Sequence, residues 1–147
     1  MSTVYLGLGT NLGDKRTNMA AVVKLLTERV GEVLSLSSLY ETQPWGFESE
    51  NTFLNAVIIL DTRLSPFELL DVAKQIEWEM GRKEKSDDSY KDRIIDIDIL
   101  MYEDVIIQTD ELTIPHPLMY KRDFVMIPLE EAAGRVVKGV RETPKTP

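Results

Sequence analysis

The stretch "DRIIDIDILMY", residues 92–102, decides how the rest of the fold is organised. Four isoleucines surround two aspartates in it, and β-branched residues are typical of strands. Because residues two apart in a strand point to the same face, Asp96 and Asp98 share one face and the alternate isoleucines occupy the other. We therefore predict a strand with an apolar face that packs under helices and an acidic face that opens on a site.

The segments around this strand alternate between strand and helix patterns. Ser65, Pro66 and Glu68 match the N-cap, the first helical position and the acid of a capping box. The predicted order is a strand at 3–9, a helix at 14–30, a strand at 32–42, a loop at 43–51, a strand at 52–62, a helix at 65–80, a charged, mobile loop at 82–92, the strand at 92–102, a short strand at 105–107 and one or two short helical segments within 117–133. This order predicts an α+β, ferredoxin-like fold of one domain, 1–147, with an antiparallel sheet, helices packed on one face and an active site on the open side among mobile loops.

The composition excludes several classes of function. Twenty-five acidic residues against seventeen Lys and Arg give a net charge of -8, which argues against nucleic acid as a partner, because such a surface needs a basic face. The chain has no cysteine, so neither disulfide nor thiolate chemistry is available. No apolar run reaches the roughly 20 residues of a membrane-spanning helix, and no signal peptide is recognisable, so we predict a cytoplasmic protein without membrane contact.

The acid pair suits a magnesium ion. Two carboxylates about 7 Å apart on a strand repel one another unless a cation lies between them. Mg²⁺ prefers oxygen ligands and commonly takes one or two carboxylates together with substrate phosphates. A solvated pair of aspartates on an exposed sheet face is the alternative, and the residues alone leave it open.

Polar and aromatic residues in "ETQPWGFESENTFLNA", residues 41–56, suit a flat heterocycle. Thr42 and Asn55 are polar residues at strand edges, and a side-chain amide can pair with the donor–acceptor edge of a heterocycle. Phe53 and Trp45 offer flat surfaces for stacking. The alternative is that both rings are ordinary core or loop aromatics.

A rigid turn in "TIPHPLMYKRDF", residues 113–124, presents the single histidine. Prolines on both sides restrict the backbone at His116. This histidine, followed six residues later by Arg122 and then by Phe124, is suited to donate a hydrogen bond to a phosphate. The alternative is a proline-braced turn with a surface histidine.

The stretch "GLGTNLGD", residues 7–14, follows a strand and precedes a helix. Dinucleotide folds have G-x-G-x-x-G, and the spacing here is longer by one residue. We therefore predict a tight turn rather than a nucleotide-binding loop.

Seven ordered segments resemble the 6-hydroxymethyl-7,8-dihydropterin pyrophosphokinase (2-amino-4-hydroxy-6-hydroxymethyldihydropteridine diphosphokinase) family of folate biosynthesis. They are "YLGLGTNLGD", "SSLYETQPWG", "FLNAV", "IEWEMGR", "RIIDIDIL", "LTIPHP" and "RDFVMIPL", and all of them lie within residues 4–130. The resemblance implies transfer of pyrophosphate from ATP to the hydroxymethyl group of 6-hydroxymethyl-7,8-dihydropterin, giving AMP and the pterin diphosphate. It further implies a monomer that binds ATP, the reduced pterin and two Mg²⁺ ions.

The resemblance also implies the site residues. Catalysis is implied for Arg82, Arg93, Asp96 and Asp98, and the two Mg²⁺ ions are expected at Asp96 and Asp98. Pterin binding is implied for Thr42, Gln43, Pro44, Trp45, Phe53, Asn55, Tyr90 and Phe124. ATP binding is implied for Lys74, Glu77, Arg82, Lys85, Arg93, Ile99, Thr113, His116, Pro117 and Arg122. The loop at 82–92 departs from the family pattern, with Tyr90 and Lys85 as candidate replacements for a Trp and an Arg that are often found there.

Two other functions are compatible with these residues. A metal-dependent nucleotidyltransferase on a similar sheet also uses two aspartates, but it attacks the α-phosphate and releases pyrophosphate. A non-catalytic ferredoxin-like module would bind a small ligand or RNA without turnover, although an RNA-recognition version should have aromatic strand motifs and a basic sheet face.

Overall fold

The computed structural model describes residues 1–42, 52–81 and 94–137. Its elements, in chain order, are β1 (Ser2–Thr10), α1 (Lys15–Arg29), β2 (Gly31–Leu36), β3 (Tyr40–Thr42), β4 (Phe53–Thr62), α2 (Pro66–Glu79), β5 (Asp96–Tyr102), β6 (Ile107–Gln108), β7 (Thr113–Ile114) and α3 (Asp123–Val137). A 3₁₀ turn, Met119–Lys121, precedes α3. Within the described ranges, no helix combines the length and the apolar character needed to cross a membrane.

One antiparallel sheet carries the fold, with the strand order β2-β4-β1-β5. The short strand β3 also pairs with β4, and β6 and β7 form a separate two-stranded ribbon. The predicted α+β fold with an antiparallel sheet is confirmed.

Helices α1 and α2 cover one face of the sheet. Leu6, Ile58 and Ile97 point into this layer from β1, β4 and β5, and the layer also contains Leu26 of α1 and Ile76 of α2. The isoleucine face of β5 therefore lies under the helices, as the alternation in the sequence predicted.

Helix α3 covers part of the opposite face. Val57, Ile59 and Leu100 lie on this side and belong to one apolar layer with Val125 and Leu129 of α3. The sequence predicted only short helical segments here, whereas α3 is a single helix of 15 residues, and it adds a layer to the predicted helices on the first face. An apolar helix stripe needs a surface on which to be buried, and this half of the sheet supplies it.

The single strand predicted at 32–42 is wrong in one respect, because it is divided into β2 and β3. A register shift after Val33 brings Val33 and Leu36 into the same apolar layer, so simple alternation fails. Beyond Leu36, the Ser37 hydroxyl replaces a backbone acceptor. It accepts from the Val57 N–H over 2.9 Å, while the Ser37 N–H donates to the Val57 carbonyl over 2.9 Å.

Local rules set the starts of the first two helices. Glu68 N–H donates to the Ser65 hydroxyl over 3.3 Å and Ser65 N–H donates to the Glu68 carboxylate over 2.8 Å, which confirms the predicted capping box. Asp14 caps α1 by accepting from a backbone N–H of its first turn over 3.1 Å. Gly13, with a φ of 70°, forms the turn before it, so the tight turn predicted from the glycine-rich stretch is confirmed.

Two predicted strands differ at their ends. β5 begins at Asp96 rather than at 92, and the short strand predicted at 105–107 is β6, which pairs with β7. Strand ends depend on pairing with a neighbour, which composition alone does not specify.

Replacing Ser37 with alanine should destabilise the fold, because the Val57 N–H would lose its acceptor in the core. Ser37 is 0% exposed, and a buried donor left without an acceptor costs about 1–3 kcal/mol. Ser35 is the matched control, because its buried hydroxyl has no hydrogen-bond partner among the described residues. Ser35→Ala should therefore leave the free energy of unfolding, measured by urea denaturation, unchanged or higher. Equal losses in the two variants would contradict the role given to Ser37.

Candidate active site

Three strands bring polar residues together on the face of the sheet that carries α3. In the register of the sheet, Gly9 of β1 lies between Asn55 of β4 and Asp96 of β5. Directly paired residues point to the same face, and Asp98 follows Asp96 on that face. The amide of Asn55 and the two carboxylates therefore flank a strand that has no side chain at this point.

Gly9 keeps the surface between these groups flat. A β-carbon added at Gly9 would lie 3.3 Å from Oδ1 of Asn55 and 3.5 Å from Cδ1 of Phe53. At Gly7 it would meet the side chain of Leu100 at 3.5 Å, which is ordinary van der Waals contact. The local pattern of the glycine-rich stretch does not reveal this role of Gly9, because the role arises from pairing with β4 and β5.

Asn55 is held in place by Thr42 at the end of β3. Its Nδ2 donates to the Thr42 hydroxyl over 2.6 Å, and Asn55 is 5% exposed. The bond fixes which side of the amide carries the donor and which carries the acceptor. Thr42 pairs with Phe53 in the sheet, so the structure brings these three predicted residues together. Their contact with a pterin stays a prediction.

The two acids stand on a strand that is held from α2. Asp96 and Asp98 are both half-buried. Between them, the Ile97 N–H donates to Oε2 of Glu77 over 2.8 Å, and Glu77 is 6% exposed. The structure thus gives Glu77 a role on the backbone of β5, and the ATP contact implied for Glu77 by the family resemblance stays a prediction.

His116 lies beside β5. Its backbone N–H donates to the Leu100 carbonyl over 2.9 Å, and its Nδ1 accepts from the Leu118 N–H over 3.4 Å. In the neutral ring the proton is therefore on Nε2, which can donate to an anionic oxygen. Burial lowers the pKa of His116, and the nearby charge of Asp96 offsets this only in part. The ring is neutral at pH 7 and offers a hydrogen bond without a positive charge.

Arg122 and Phe124 lie at the start of α3. Arg122 is 3% exposed, and its guanidinium carbon lies 5.5 Å from the centre of the Phe124 ring, a cation–π distance. Burial lowers the pKa of Arg122, although a guanidinium remains charged at neutral pH. Phe124 is half-buried at the margin of the α3 layer. Arg122 therefore lies against one face of this ring.

The remaining predicted site residues are in different environments. Lys74 and Pro117 are exposed, and Thr113 is half-buried. Ile99 is 4% exposed in the apolar layer under α1 and α2, so its side chain points away from the face of the acids. Seven predicted residues lie outside the described ranges: Gln43, Pro44, Trp45, Arg82, Lys85, Tyr90 and Arg93.

The oxygen ligands fit a magnesium ion that is shared with a substrate. Asp96 and Asp98 offer carboxylates on one face of one strand. In the part of the chain that the structure describes, no group of three or more His, Cys, Asp or Glu side chains could hold a metal ion by itself. Mg²⁺ commonly takes one or two carboxylates and completes its shell with water and phosphate oxygens, so two aspartates suffice.

The lowered pKa of His116 predicts a pH-dependent stability. Because the folded-state pKa lies below the usual value of 6.5, the unfolded chain binds more protons as the pH falls. This contribution to stability is present above pH 6.5 and is lost as the pH falls through the folded-state pKa. The free energy of unfolding of the ligand-free protein is measured by denaturation at several values from about pH 7.5 to about pH 5. It should fall more steeply with decreasing pH in the wild type than in His116→Asn, whose amide oxygen can still accept from the Leu118 N–H. Parallel curves would show that burial does not perturb the ring.

Comparison with known sequences identifies the family. The family model of 7,8-dihydro-6-hydroxymethylpterin-pyrophosphokinase matches residues 5–134. The chain is 49% identical over 135 residues to the 2-amino-4-hydroxy-6-hydroxymethyldihydropteridine pyrophosphokinase of Porphyromonas gingivalis, a match that covers 90% of this chain and 92% of that protein. It is 43% identical over 144 residues to the protein of the same name from Aquifex aeolicus, covering 98% of this chain and 88% of that one.

A solved structure shares the fold. The crystal structure of wild-type Plasmodium falciparum HPPK-DHPS with pteroate matches with a TM-score of 0.71 at 17% sequence identity. The match covers 89% of this chain and 40% of that one, so this chain spans less than half of the solved chain. This likeness supports the fold alone, and the sequence matches carry the assignment. The chain belongs to the 7,8-dihydro-6-hydroxymethylpterin-pyrophosphokinase family.

Proposed function

We propose that this chain transfers the pyrophosphoryl group of ATP to the hydroxymethyl oxygen of 6-hydroxymethyl-7,8-dihydropterin, a step of folate biosynthesis that gives AMP and the pterin diphosphate. Membership of the family supports this reaction. One observation links the proposal to particular residues: Asn55, Gly9 and Asp96 are paired side by side across three neighbouring strands and form a row. It sets an amide suited to a heterocycle and a carboxylate suited to a metal on one face of one sheet.

The pterin is expected at the β4 side of this row. Asn55 presents an amide fixed by Thr42, and such an amide matches the donor–acceptor edge of the pterin ring. Gly9 leaves room for a flat ring, and Phe53 beside it offers a stacking surface. Phe124, half-buried at the start of α3, would stack on the other side of the pterin ring.

The reaction needs positioning and charge neutralisation more than covalent catalysis. The hydroxymethyl oxygen forms a bond to the β-phosphorus of ATP, the bond from this phosphorus to the α,β-bridging oxygen breaks, and AMP leaves with that oxygen. The hydroxyl proton passes to solvent. Asp96 and Asp98 would hold Mg²⁺, which when bound neutralises phosphate charge and lowers the pKa of a coordinated hydroxyl. His116 Nε2 and the Arg122 guanidinium would donate to phosphate oxygens.

Finer features of the proposal rest on the family resemblance. These are a second Mg²⁺ ion and a monomeric state, whereas a single domain over 1–147 and a location in the cytoplasm stay predictions from the sequence. ATP contacts by Lys74, Glu77, Ile99 and Thr113 rest on the same resemblance.

A product assay tests the reaction. The protein is incubated with ATP, Mg²⁺ and the reduced pterin, and the products are separated by ion-exchange chromatography. AMP and the pterin diphosphate should appear in equal amounts. Pyrophosphate as the second product would identify a nucleotidyltransferase that attacks the α-phosphate, and ligand binding without any product would identify a non-catalytic module.

Asp96→Asn and Asp98→Asn should each lower kcat by roughly a thousandfold or more, because a metal ion supplies several kcal/mol of charge stabilisation in such reactions. Asp104→Asn is the control, because this acid is exposed just beyond β5, and it should keep wild-type activity. Removing one of two like charges relieves repulsion, so thermal unfolding of the ligand-free variants should show no loss of stability. Full activity of Asp98→Asn in the presence of a chelator would contradict the metal assignment.

Gly9→Ala should weaken pterin binding more than ATP binding, because the new methyl group would displace the amide of Asn55. We expect a roughly tenfold higher KM for the pterin, in line with the cost of misplacing a positioning group. Gly7→Ala is the control, because its methyl group would make only ordinary contact with Leu100. Steady-state kinetics with each substrate varied in turn measures both effects. Similar pterin KM values for the two variants would refute the proposal that Gly9 leaves a flat surface for the pterin ring.

A further inference from the structure

The connection between β2 and β3 departs from ordinary strand pairing. Leu36 pairs with Ile58 and Tyr40 pairs with Asn55, so three residues on one side face two on the other. An extra residue in one strand leaves backbone groups without partners in the sheet. The N–H of Ser38 is one of these groups, and it turns towards α3.

The Glu131 carboxylate of α3 accepts hydrogen bonds from groups around this break. Its Oε1 accepts from the Ser38 N–H and from the Tyr40 hydroxyl, both over 2.8 Å. Its Oε2 accepts from the Ser38 hydroxyl over 2.8 Å and from the Arg135 guanidinium over 2.9 Å. Arg135 also donates to the Leu36 carbonyl. One carboxylate and its arginine therefore tie α3 to both ends of the break.

The carboxylate of Glu131 stays ionised in this setting. Burial alone would raise the pKa of Glu131, but the hydrogen bonds from Ser38 and Tyr40 and the charge of Arg135 lower it on balance. Burial, together with the bond to Glu131, raises the pKa of Tyr40, so the phenol keeps its proton and donates. Hydrogen bonds to an ionised acceptor are roughly twice as strong as neutral ones.

This cluster lies between two parts of the pterin end of the site. Phe124 and Glu131 are seven residues apart in α3, which is nearly two turns, so they lie on the same side of the helix. Across the cluster, Tyr40 pairs with Asn55, and Thr42 at the end of the same strand accepts from the Asn55 amide. The helix that carries Phe124 and the strand that carries Thr42 are thus joined through Glu131.

We propose that Glu131 is a positioning residue for the pterin end of the site. Its carboxylate holds β3 in a fixed place against α3, and in this way it sets where Thr42 and Asn55 lie relative to Phe124. The inference rests on the proposed function, since it takes the pterin as the ligand. Glu131 acts through β3 and does not itself contact the reacting atoms.

The apolar packing of α3 indicates that the fold survives the loss of Glu131. Val125, Leu129 and Ala132 of α3 are buried against the sheet, and they do not depend on the carboxylate. Losing the carboxylate therefore frees β3 from α3 without removing the helix from the sheet. An effect on pterin binding can then be separated from unfolding.

Glu131→Ala and Glu79→Ala, both in the full chain, test the inference. Glu79 is the matched control, because it forms two bonds of 2.6 and 2.7 Å with Arg29 where α1 and α2 end, on the other face of the sheet. Calorimetry measures the Kd of 6-hydroxymethyl-7,8-dihydropterin and of a non-hydrolysable ATP analogue with Mg²⁺. AMP release measures kcat and the KM of each substrate.

Glu131→Ala should raise the Kd and KM of the pterin roughly tenfold, the loss expected from one hydrogen bond to a charged group, while the values for ATP stay within about twofold of the wild type. Glu79→Ala should leave the binding of both ligands unchanged, even where its Tm falls. Glu131→Gln keeps one acceptor oxygen and should restore part of the pterin affinity. A purely structural role would not separate the two substrates in this way.

Unchanged pterin affinity in Glu131→Ala, or equal losses for the pterin and ATP, would overturn the inference. If Glu131→Ala does not fold, Tyr40→Phe decides by the same criterion, because it removes one of the bonds to Glu131 and keeps the ring. A wild-type protein that binds the pterin but releases no AMP would refute the proposed function and leave the binding test of Glu131 valid.

Discussion

The hydrogen bond from the Ile97 backbone to Glu77 is the interaction on which the acidic site depends. Among the described residues β5 is the last strand of the sheet, so one row of its backbone groups has no neighbouring strand there. The Glu77 carboxylate accepts from one of these groups, the Ile97 N–H, over 2.8 Å. The Leu100 carbonyl, another of them, accepts from the His116 N–H over 2.9 Å. A bond from a backbone N–H to a buried carboxylate is among the stronger kinds. An edge that would fray by itself becomes a rigid base for the two aspartates.

Side-chain size and polarity divide the second face of the sheet between packing and chemistry. Val57 of β4 is buried under α3, whereas Asn55, two residues earlier on the same face, presents an amide. In β1, Gly7 lies under the side chain of Leu100, and Gly9 lies beside the amide. A helix gains little by covering glycines and polar groups, because it buries no apolar area there. The cover provided by α3 and the candidate site therefore adjoin without competing for the same residues.

Local patterns predicted the parts of the molecule that depend on neighbouring residues, and long-range pairing explains the rest. The two faces of β5 follow from alternation, and the cap of α2 follows from Ser65 and Glu68. Gly9 became a flat surface only through pairing with two strands from distant parts of the chain. The bond from Ser38 to Glu131 spans 93 positions, and no spacing rule connects such residues. The break between β2 and β3 was missed for the same reason, because the Ser37 hydroxyl that replaces a strand partner looks like any small strand residue.

The neutral state of His116 bears on how an acidic site accepts a polyphosphate. A histidine beside a carboxylate ordinarily has a raised pKa and carries a positive charge more readily. Here burial outweighs the charge of Asp96, and the pKa of His116 falls. The ring therefore has an N–H donor at Nε2 without adding a positive charge beside Asp96. In a chain with a net charge of -8, repulsion between acidic groups and ATP has to be overcome locally, and a divalent cation held by two carboxylates would do this most directly. Under the proposed function, the acid pair and the uncharged histidine would favour binding of ATP together with its metal ion over binding of ATP alone.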